Sequence, residues 1–151
     1  MIKGAYVIRV KRLLAVGALA AGLLGGGVGL AAPASAAAAG FCVDGQEPPS
    51  GGITVRTTPP EANVTVELRY HPDTTCAWGR ITNAWPGFDH VWVDRAPYAG
   101  ADWDGPLLTT YAGSDGVAYT PALDDNQKVM RACAWIRTGS QAAVIRCTDW
   151  F

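Results

Sequence analysis

The stretch from Val64 to Val93 carries the pattern of consecutive β-strands, and it limits the fold more than any other feature. Residues 64–70 read VTVELRY, in which apolar and polar side chains alternate. A period of two with β-branched residues is typical of a strand that buries one face. Residues 76–81 (CAWGRI) and 88–95 (FDHVWVDR) predict two further strands, with proline- or glycine-containing turns between the three.

Further short strands are predicted on both sides of this stretch. They are residues 53–58, 107–112, 117–120, 128–137 and 142–149. No part of the chain after the first 36 residues has the period of a long amphipathic helix. We therefore expect an all-β fold, a small disulfide-stapled β-sandwich or barrel of about eight short strands. Residues 96–106 lack periodicity and are expected to form its longest loop.

The first 36 residues have the features of a signal peptide. Four basic residues lie near the start, an uncharged run covers residues 13–32, and Ala34-Ser35-Ala36 supplies the small residues of a cleavage site. An uncleaved membrane anchor is the alternative, since about 20 apolar residues can span a bilayer. The weak hydrophobicity of the run favours cleavage. The expected organisation is a signal peptide at 1–36, a loose N-terminal segment at 37–52 tied by Cys42, and an all-β domain at 53–151.

The charge of the cleaved chain argues against nucleic-acid binding. Without the four basic residues of the signal, eight Lys and Arg face thirteen Asp and Glu, a net charge of about −5. Nucleic-acid-binding domains present a basic face instead. We expect a secreted, extracellular monomer with no membrane contact after cleavage.

The four cysteines follow the signal, and an even count in a small exported domain predicts two disulfides. They are Cys42, Cys76, Cys133 and Cys147. Of the three pairings that four cysteines allow, we favour Cys42–Cys76 with Cys133–Cys147. Zinc is the rival interpretation, but no two cysteines have the close spacing of a zinc knuckle. We expect neither a metal nor a cofactor.

The closing hairpin is the most constrained part of the prediction. If Cys133 faces Cys147, Trp135 opposes Ile145 and Arg137 opposes Ala143. The same register sets Arg131 opposite Asp149 and Met130 opposite Trp150. One register would thus give an opposite-charge pair and two apolar pairs.

Several of these segments resemble a family of small secreted actinobacterial domains of unknown function. The family pattern is V-E-L-R-Y-S-x-x-C followed by Trp and Arg, and residues 66–81 are similar to it. The start Cys42-x-x-Gly45-x-x-Pro48 and the motifs at 91–95, 131–133 and 147–150 also look similar. His71 departs from the usual Ser, and residues 97–100 replace a turn richer in Asp and Gly. The resemblance implies secretion and a disulfide-stapled fold, and it implies no reaction.

The sequence offers no recognisable catalytic constellation. His71 lies in a proline turn, His90 alternates with Phe88 and Trp92 as a sheet residue would, and no serine sits in G-x-S-x-G. The best glycosidase-like set of carboxylates is Asp89, Asp94, Asp102 and Asp104. Solvated loop acids are the simpler interpretation, and we expect the protein not to be an enzyme.

The six tryptophans are the more informative signal. We expect Trp78 and Trp135 to fill the core. Trp85, beside Pro86-Gly87, and Trp103, between two aspartates, have the context of exposed turns, and Tyr98 lies in the same loop as Trp103. Exposed aromatic side chains near polar groups make binding surfaces, and sugar rings stack on them. The alternative is that these tryptophans fold over the end of the sandwich as a lid.

These observations favour a secreted, non-catalytic binding domain. A glycan or a cell-wall polymer is the preferred ligand class, bound by Trp85, Trp103 and Tyr98. A secreted protease inhibitor or protein-interaction domain that uses residues 96–106 is the alternative. A small hydrolase ranks last.

Overall fold

The structure is a computed structural model that describes residues 41–139 and 142–151. The predicted signal peptide, residues 1–36, lies outside them. The described residues form nine strands and no helix, and therefore hold no helix that could cross a membrane. The strands are β1 (Ile53–Thr57), β2 (Thr65–His71), β3 (Cys76–Thr82), β4 (His90–Ala96), β5 (Asp104–Tyr111), β6 (Ala118–Tyr119), β7 (Leu123–Asp124), β8 (Val129–Arg137) and β9 (Ala143–Cys147).

The strands form two antiparallel sheets, which confirms the all-β prediction. Sheet 1 has the order β1-β2-β3-β6, and β7 also pairs with β3. Sheet 2 has the order β5-β4-β8-β9. The short strand β7 was not predicted, because residues 124–126 have the composition of a turn.

The two sheets enclose one core, so the architecture is a sandwich. Alternate residues of each strand point inward, and the inward set is apolar on both sheets. Full burial of a Val, Leu, Ile or Met side chain stabilises the fold by about 1.5–3 kcal/mol, and burial of an Ala contributes less. The core includes Val66 and Leu68 of β2, Ala77 and Ile81 of β3, Val91 and Val93 of β4, and Met130, Ala132, Ala134 and Ile136 of β8.

The N-terminal segment is held at more points than the predicted tie. Cys42 is bonded to Cys76 and packs with Trp78 and Ala122. The carboxylate of Asp44 accepts a hydrogen bond from the Asp124 N–H (2.8 Å) and one from Arg95 (2.7 Å). Burial raises the pKa of Asp44, but these two donors outweigh it and leave the pKa below its ordinary value.

The β8–β9 hairpin confirms the predicted disulfide and most of the predicted register. Cys133 is bonded to Cys147, Trp135 opposes Ile145 and Arg137 opposes Ala143. Together with Cys42–Cys76, this is the favoured pairing of the four cysteines.

The register prediction is wrong beyond Thr148. The Thr148 N–H donates to the Ala132 carbonyl, and its hydroxyl accepts from the Ala132 N–H, where a backbone carbonyl would otherwise serve. The strand therefore gains a residue, as in a β-bulge. Met130 exchanges both backbone hydrogen bonds with Phe151 and not with Trp150.

Candidate binding face

The outward face of sheet 2 and its edges carry seven of the fourteen Phe, Tyr and Trp residues of the protein. Because alternate residues of β4 and β8 fill the core, the residues between them point outward. Five of the six tryptophans lie on this side or at its edge. We call this surface the aromatic face; it comprises Trp85, Phe88, His90, Trp92, Trp103, Tyr111, Trp135, Ile145 and Trp150.

A continuous row of side chains crosses the centre of the aromatic face. Paired positions of the four strands bring Tyr111, His90, Trp135 and Ile145 side by side, in strand order β5, β4, β8, β9. The His90 ring centroid is 4.7 Å from that of Tyr111 and 5.6 Å from that of Trp135, with only 10° between the His90 and Trp135 planes. Tyr111 and Ile145 are exposed at the two ends. The row is thus a continuous strip of three rings and one aliphatic side chain across all four strands of the sheet.

Two groups, each of one arginine with its neighbouring aromatic rings, lie on the aromatic face, and we call them the arginine clusters. The first lies at the end of β8, and the buried Asp89 holds it in place. One oxygen of this buried carboxylate accepts a hydrogen bond from the backbone N–H of Trp85 (2.7 Å). The other oxygen accepts one from the backbone N–H of Arg137 (2.8 Å). Residues 83–89 are thereby fixed to β8. The Arg137 guanidinium lies 5.0 Å from the Trp85 ring centre and 4.4 Å from that of Phe88. Such contacts are cation–π interactions.

The second cluster is built on Asp94, which is only 3% exposed. Its carboxylate accepts hydrogen bonds from the Trp92 indole N–H (3.0 Å) and from Arg131 (2.9 Å). The Arg131 guanidinium lies between two rings, 4.8 Å from the centre of Trp103 and 4.6 Å from that of Trp150. This interaction corrects the predicted partner of Arg131, which forms its ion pair with Asp94 and not with Asp149.

A glycine permits the close approach of β5 to Asp94. A Cβ atom on Gly105 would come within 2.0 Å of the Asp94 carboxylate oxygen. Only Gly therefore fits here without displacing the ion pair. The segment that follows Trp103 is held against the face in this way.

A shallow cavity of about 230 Å³ lies between Trp92, Trp103 and Pro106. The Cys133–Cys147 disulfide and Ile145 also line it. The Asp94 carboxylate and the two sulfurs lie within 4.8 Å of one another, a spacing that could hold a metal ion. The two sulfurs are bonded to each other and are not thiolates, and Arg131 already neutralises the carboxylate. This group is therefore not a metal centre.

A larger cavity, of about 320 Å³, lies on sheet 1 between the N-terminal segment and Arg69, Trp78 and Tyr119. The two terminal nitrogens of Arg69 are already in use there, because they donate to the Gly52 carbonyl and the Thr54 hydroxyl. The buried Trp78 offers little surface there. The aromatic face is the stronger candidate for binding.

The structure places two of the three predicted binding residues on the same face. Trp85, Trp103 and Tyr98 are 51%, 53% and 67% exposed. Trp85 and Trp103 both belong to the aromatic face, at the two arginine clusters. These clusters lie six residues apart along β8, about 20 Å at the rise of a strand. Tyr98 projects from the loop between β4 and β5 and makes no ring contact with the aromatic face among the described residues.

The two core predictions for tryptophan have different outcomes. Trp78 is buried, as expected. Trp135 is wrong as a core residue, because its neighbours Ala134 and Ile136 point inward and leave it half-buried on the outward face. The predicted pairing of Trp135 with Ile145 and the alternation of His90 with Trp92 together contained the signal for the central row.

Two of the four carboxylates proposed as a hydrolase set, Asp89 and Asp94, are set apart along the chain and are already hydrogen-bonded within the fold. Asp89 and Asp94 are occupied as hydrogen-bond acceptors, and five residues of extended chain set their α-carbons about 16 Å apart. Glycosidase carboxyl groups lie about 5–9.5 Å apart. Asp102 and Asp104 are exposed near Trp103.

The fold and this face together define a disulfide-stabilised β-sandwich with an exposed aromatic surface. Compared with known proteins, the chain matches no protein-family model, no curated protein and no solved structure. The resemblance to small secreted actinobacterial domains stays a prediction. Function is therefore argued from the aromatic face alone.

Proposed function

We propose that the protein is an extracellular, non-catalytic binding domain whose aromatic face binds a glycan. One observation carries the proposal: four paired strands place Tyr111, His90, Trp135 and Ile145 in one row on the outward face, between the arginines Arg131 and Arg137 with their rings. Large exposed apolar patches on a soluble domain mark interaction sites, because exposure of such a surface is otherwise unfavourable.

A sugar polymer suits the shape and chemistry of this face. The face is flat, with only the shallow cavity beside Trp103, so it fits an extended chain better than a small molecule. The C–H bonds of a sugar ring pack on the negative face of an aromatic ring. Nearby indole, phenol and guanidinium groups offer hydrogen-bond donors to hydroxyl groups.

The two disulfides are those of a protein in an oxidising environment. Their presence supports export, and a glycan outside the cell is then the accessible ligand. Cleavage of the predicted signal after Ala36 completes this proposal.

The first test is retention on insoluble glycans. The full chain is expressed with its own N-terminal segment, and the oxidised protein is purified from the exported fraction, with its mass checked for cleavage after Ala36. Binding to chitin, cellulose and Gram-positive peptidoglycan is then measured for the wild type and for Tyr111→Ala and Trp135→Ala. Tyr119→Ala is the matched control, because Tyr119 is an exposed aromatic residue on sheet 1.

We expect retention on one polymer, at least tenfold weaker for the two face variants and unchanged for the control. A tenfold loss corresponds to about 1.4 kcal/mol, and an aromatic residue that is a binding hot spot contributes about 2 kcal/mol or more. Retention on no polymer, or equal retention of all variants, would refute the proposal.

The alternative, a protease inhibitor that uses residues 96–106, has less support. Residues 97–103 form an exposed loop with few internal contacts among the described residues. One backbone hydrogen bond joins the Ala101 N–H to the Tyr98 carbonyl, and the Trp103 ring packs against Arg131. Rigid inhibitor loops resist cleavage. Limited proteolysis that cuts between Pro97 and Asp102 while the rest stays intact would argue against inhibition.

A further inference from the structure

Arg137 differs from most other arginines of the described region in having no acidic partner. Its guanidinium forms no salt bridge with any described residue, and the hydrogen bond found for Arg137 comes from its backbone N–H. The residues outside the described ranges contain no Asp or Glu. No carboxylate side chain of this protein therefore lies within ion-pair distance of the Arg137 guanidinium.

The other arginines of the described residues are neutralised or hydrogen-bonded within the protein. Five of them form ion pairs: Arg69 and Arg80 with Glu67, Arg95 with Asp44, Arg131 with Asp94, and Arg146 with Glu61. Arg56 donates to the Val55 and Trp150 carbonyls. The exception, Arg137, lies on the aromatic face.

The surroundings of Arg137 orient its guanidinium without saturating it. The rings of Trp85 and Phe88 lie beside the group, and Asp89 fixes the backbone beneath it. Aromatic contacts with the plane of a guanidinium leave its N–H donors available. Such a fork matches the two oxygens of a carboxylate or phosphate, and the bonds are strengthened by charge.

We infer that Arg137 binds an acidic group of the ligand, a carboxylate or a phosphate, so that the glycan is an anionic polymer. Arg137 follows Trp135 as the next outward residue of β8. A sugar ring on the central row would therefore place its acidic substituent beside the guanidinium. This inference rests on the proposed function and specifies its ligand class.

The net charge of the protein opposes binding of an acidic polymer. The chain without its predicted signal is acidic, about −5, so an anionic polymer would be repelled by the molecule as a whole. Arg131, the other arginine of the face, is neutralised by Asp94. Attraction of an acidic polymer then has to arise locally, at Arg137.

The test uses one polymer with its acidic groups removed in stages. Gram-positive cell wall is compared in three forms: with phosphate-bearing teichoic acid, after hydrofluoric acid has cleaved the phosphodiester bonds and released the teichoic acid, and after the remaining carboxyl groups have also been methyl-esterified. Binding of the wild type is measured at 20 and 300 mM salt. Arg137→Gln, Arg137→Lys and the surface control Arg80→Gln are measured in parallel.

We expect binding to fall at least tenfold at the step that removes the recognised group, which distinguishes phosphate from carboxylate. Arg137→Gln should lower binding of the acidic wall by about tenfold or more, as loss of a charged hydrogen bond does. It should also remove most of the salt dependence. Arg137→Lys should retain part of the affinity, because it keeps the charge but loses the fork, and Arg80→Gln should retain all of it.

The outcomes separate the two proposals. Equal binding of the wild type to all three walls, without salt dependence, overturns the acidic-group inference and leaves glycan binding intact. Retention on none of the walls or neutral polymers overturns both. The effect of removing the acidic groups is measured with the wild-type protein. The test therefore holds even if Arg137→Gln fails to fold.

Discussion

At the residue scale, the aromatic face depends on two buried carboxylates with structural roles. Asp89 fixes Trp85 to β8, and Asp94 positions Trp92 and Arg131. Both are short side chains that accept several hydrogen bonds where they cannot be solvated. Sequence reasoning placed both among candidate acids, because residue type alone does not show what a carboxylate bonds to.

Asp94→Asn should destabilise the protein strongly. Breaking a buried ion pair costs about 3–5 kcal/mol, because the remaining charge is left without a partner. We expect the lower end of this range, since the Arg131 side chain is 22% exposed and keeps some water. Urea unfolding followed by circular dichroism measures the change. Asp102→Asn, an exposed neighbour in the same loop region, should have almost no effect, and an equal loss in both variants would contradict the assignment.

Asp125 should make stability depend on pH. Burial, and then the negative charge of Asp124, raise the pKa of Asp125 to about 7 from an ordinary value of 3.8. The folded state therefore binds this proton more tightly than the unfolded state does. The stabilisation from proton binding is complete below pH 4 and is lost as the pH rises through about 7.

Asp125→Asn tests this dependence. The variant should remove the fall in the free energy of unfolding between pH 5 and pH 8, and should be more stable than the wild type at pH 8. Urea titrations at the two values measure it. Asp44 has the opposite sign, because its lowered pKa stabilises the fold above about pH 4 and this contribution is lost in stronger acid. Parallel pH profiles of wild type and Asp125→Asn would contradict the prediction.

At the scale of elements, the strands and the closing hairpin were predictable from local pattern. The pairing of strands distant in the sequence was not. The alternation in residues 64–70 identified β2, and the spacing of Cys133 and Cys147 set the register of β8 and β9. The pairing of β4 with β8 joins residues about 40 positions apart, and it creates the central row. No local pattern encodes such a contact, so the sequence identified single aromatic residues and not their arrangement.

The path of β5 beside β4 should be sensitive to Gly105→Ala. The added Cβ would collide with the Asp94 carboxylate and with its α-carbon region, so either β5 or the ion pair has to move. We expect a loss of about 1–3 kcal/mol, typical of overpacking, and weaker retention on the glycan. Thermal unfolding and the retention assay measure both. Gly139→Ala, which meets no atom within 4 Å, is the control and should be close to neutral.

At the scale of the whole molecule, each of the two disulfides adds a covalent link to one of the two sheets. Cys42–Cys76 joins the N-terminal segment to sheet 1, and Cys133–Cys147 joins the last two strands of sheet 2. The first bridge spans 34 positions and the second spans 14. Loop-closure entropy then predicts contributions of about 3–4 and about 3 kcal/mol.

Reduction should therefore destabilise the fold strongly, since the net stability of a domain is about 5–15 kcal/mol. Melting temperatures with and without reductant measure the combined effect. The paired variants Cys42→Ser/Cys76→Ser and Cys133→Ser/Cys147→Ser separate the two contributions, and the first should lose more. An unchanged melting temperature in reductant would contradict the prediction.

The concentration of tryptophan on one side also gives the molecule an optical reporter. Trp78 is shielded in the interior and should emit at short wavelength whatever is bound. Trp85 and Trp103 face solvent, so they should emit further to the red and respond to collisional quenchers. Occupation of the outward side of sheet 2 would shift this red component to the blue and protect it from iodide. Binding of the proposed glycan could thus be followed from the intrinsic fluorescence of the protein, without any label.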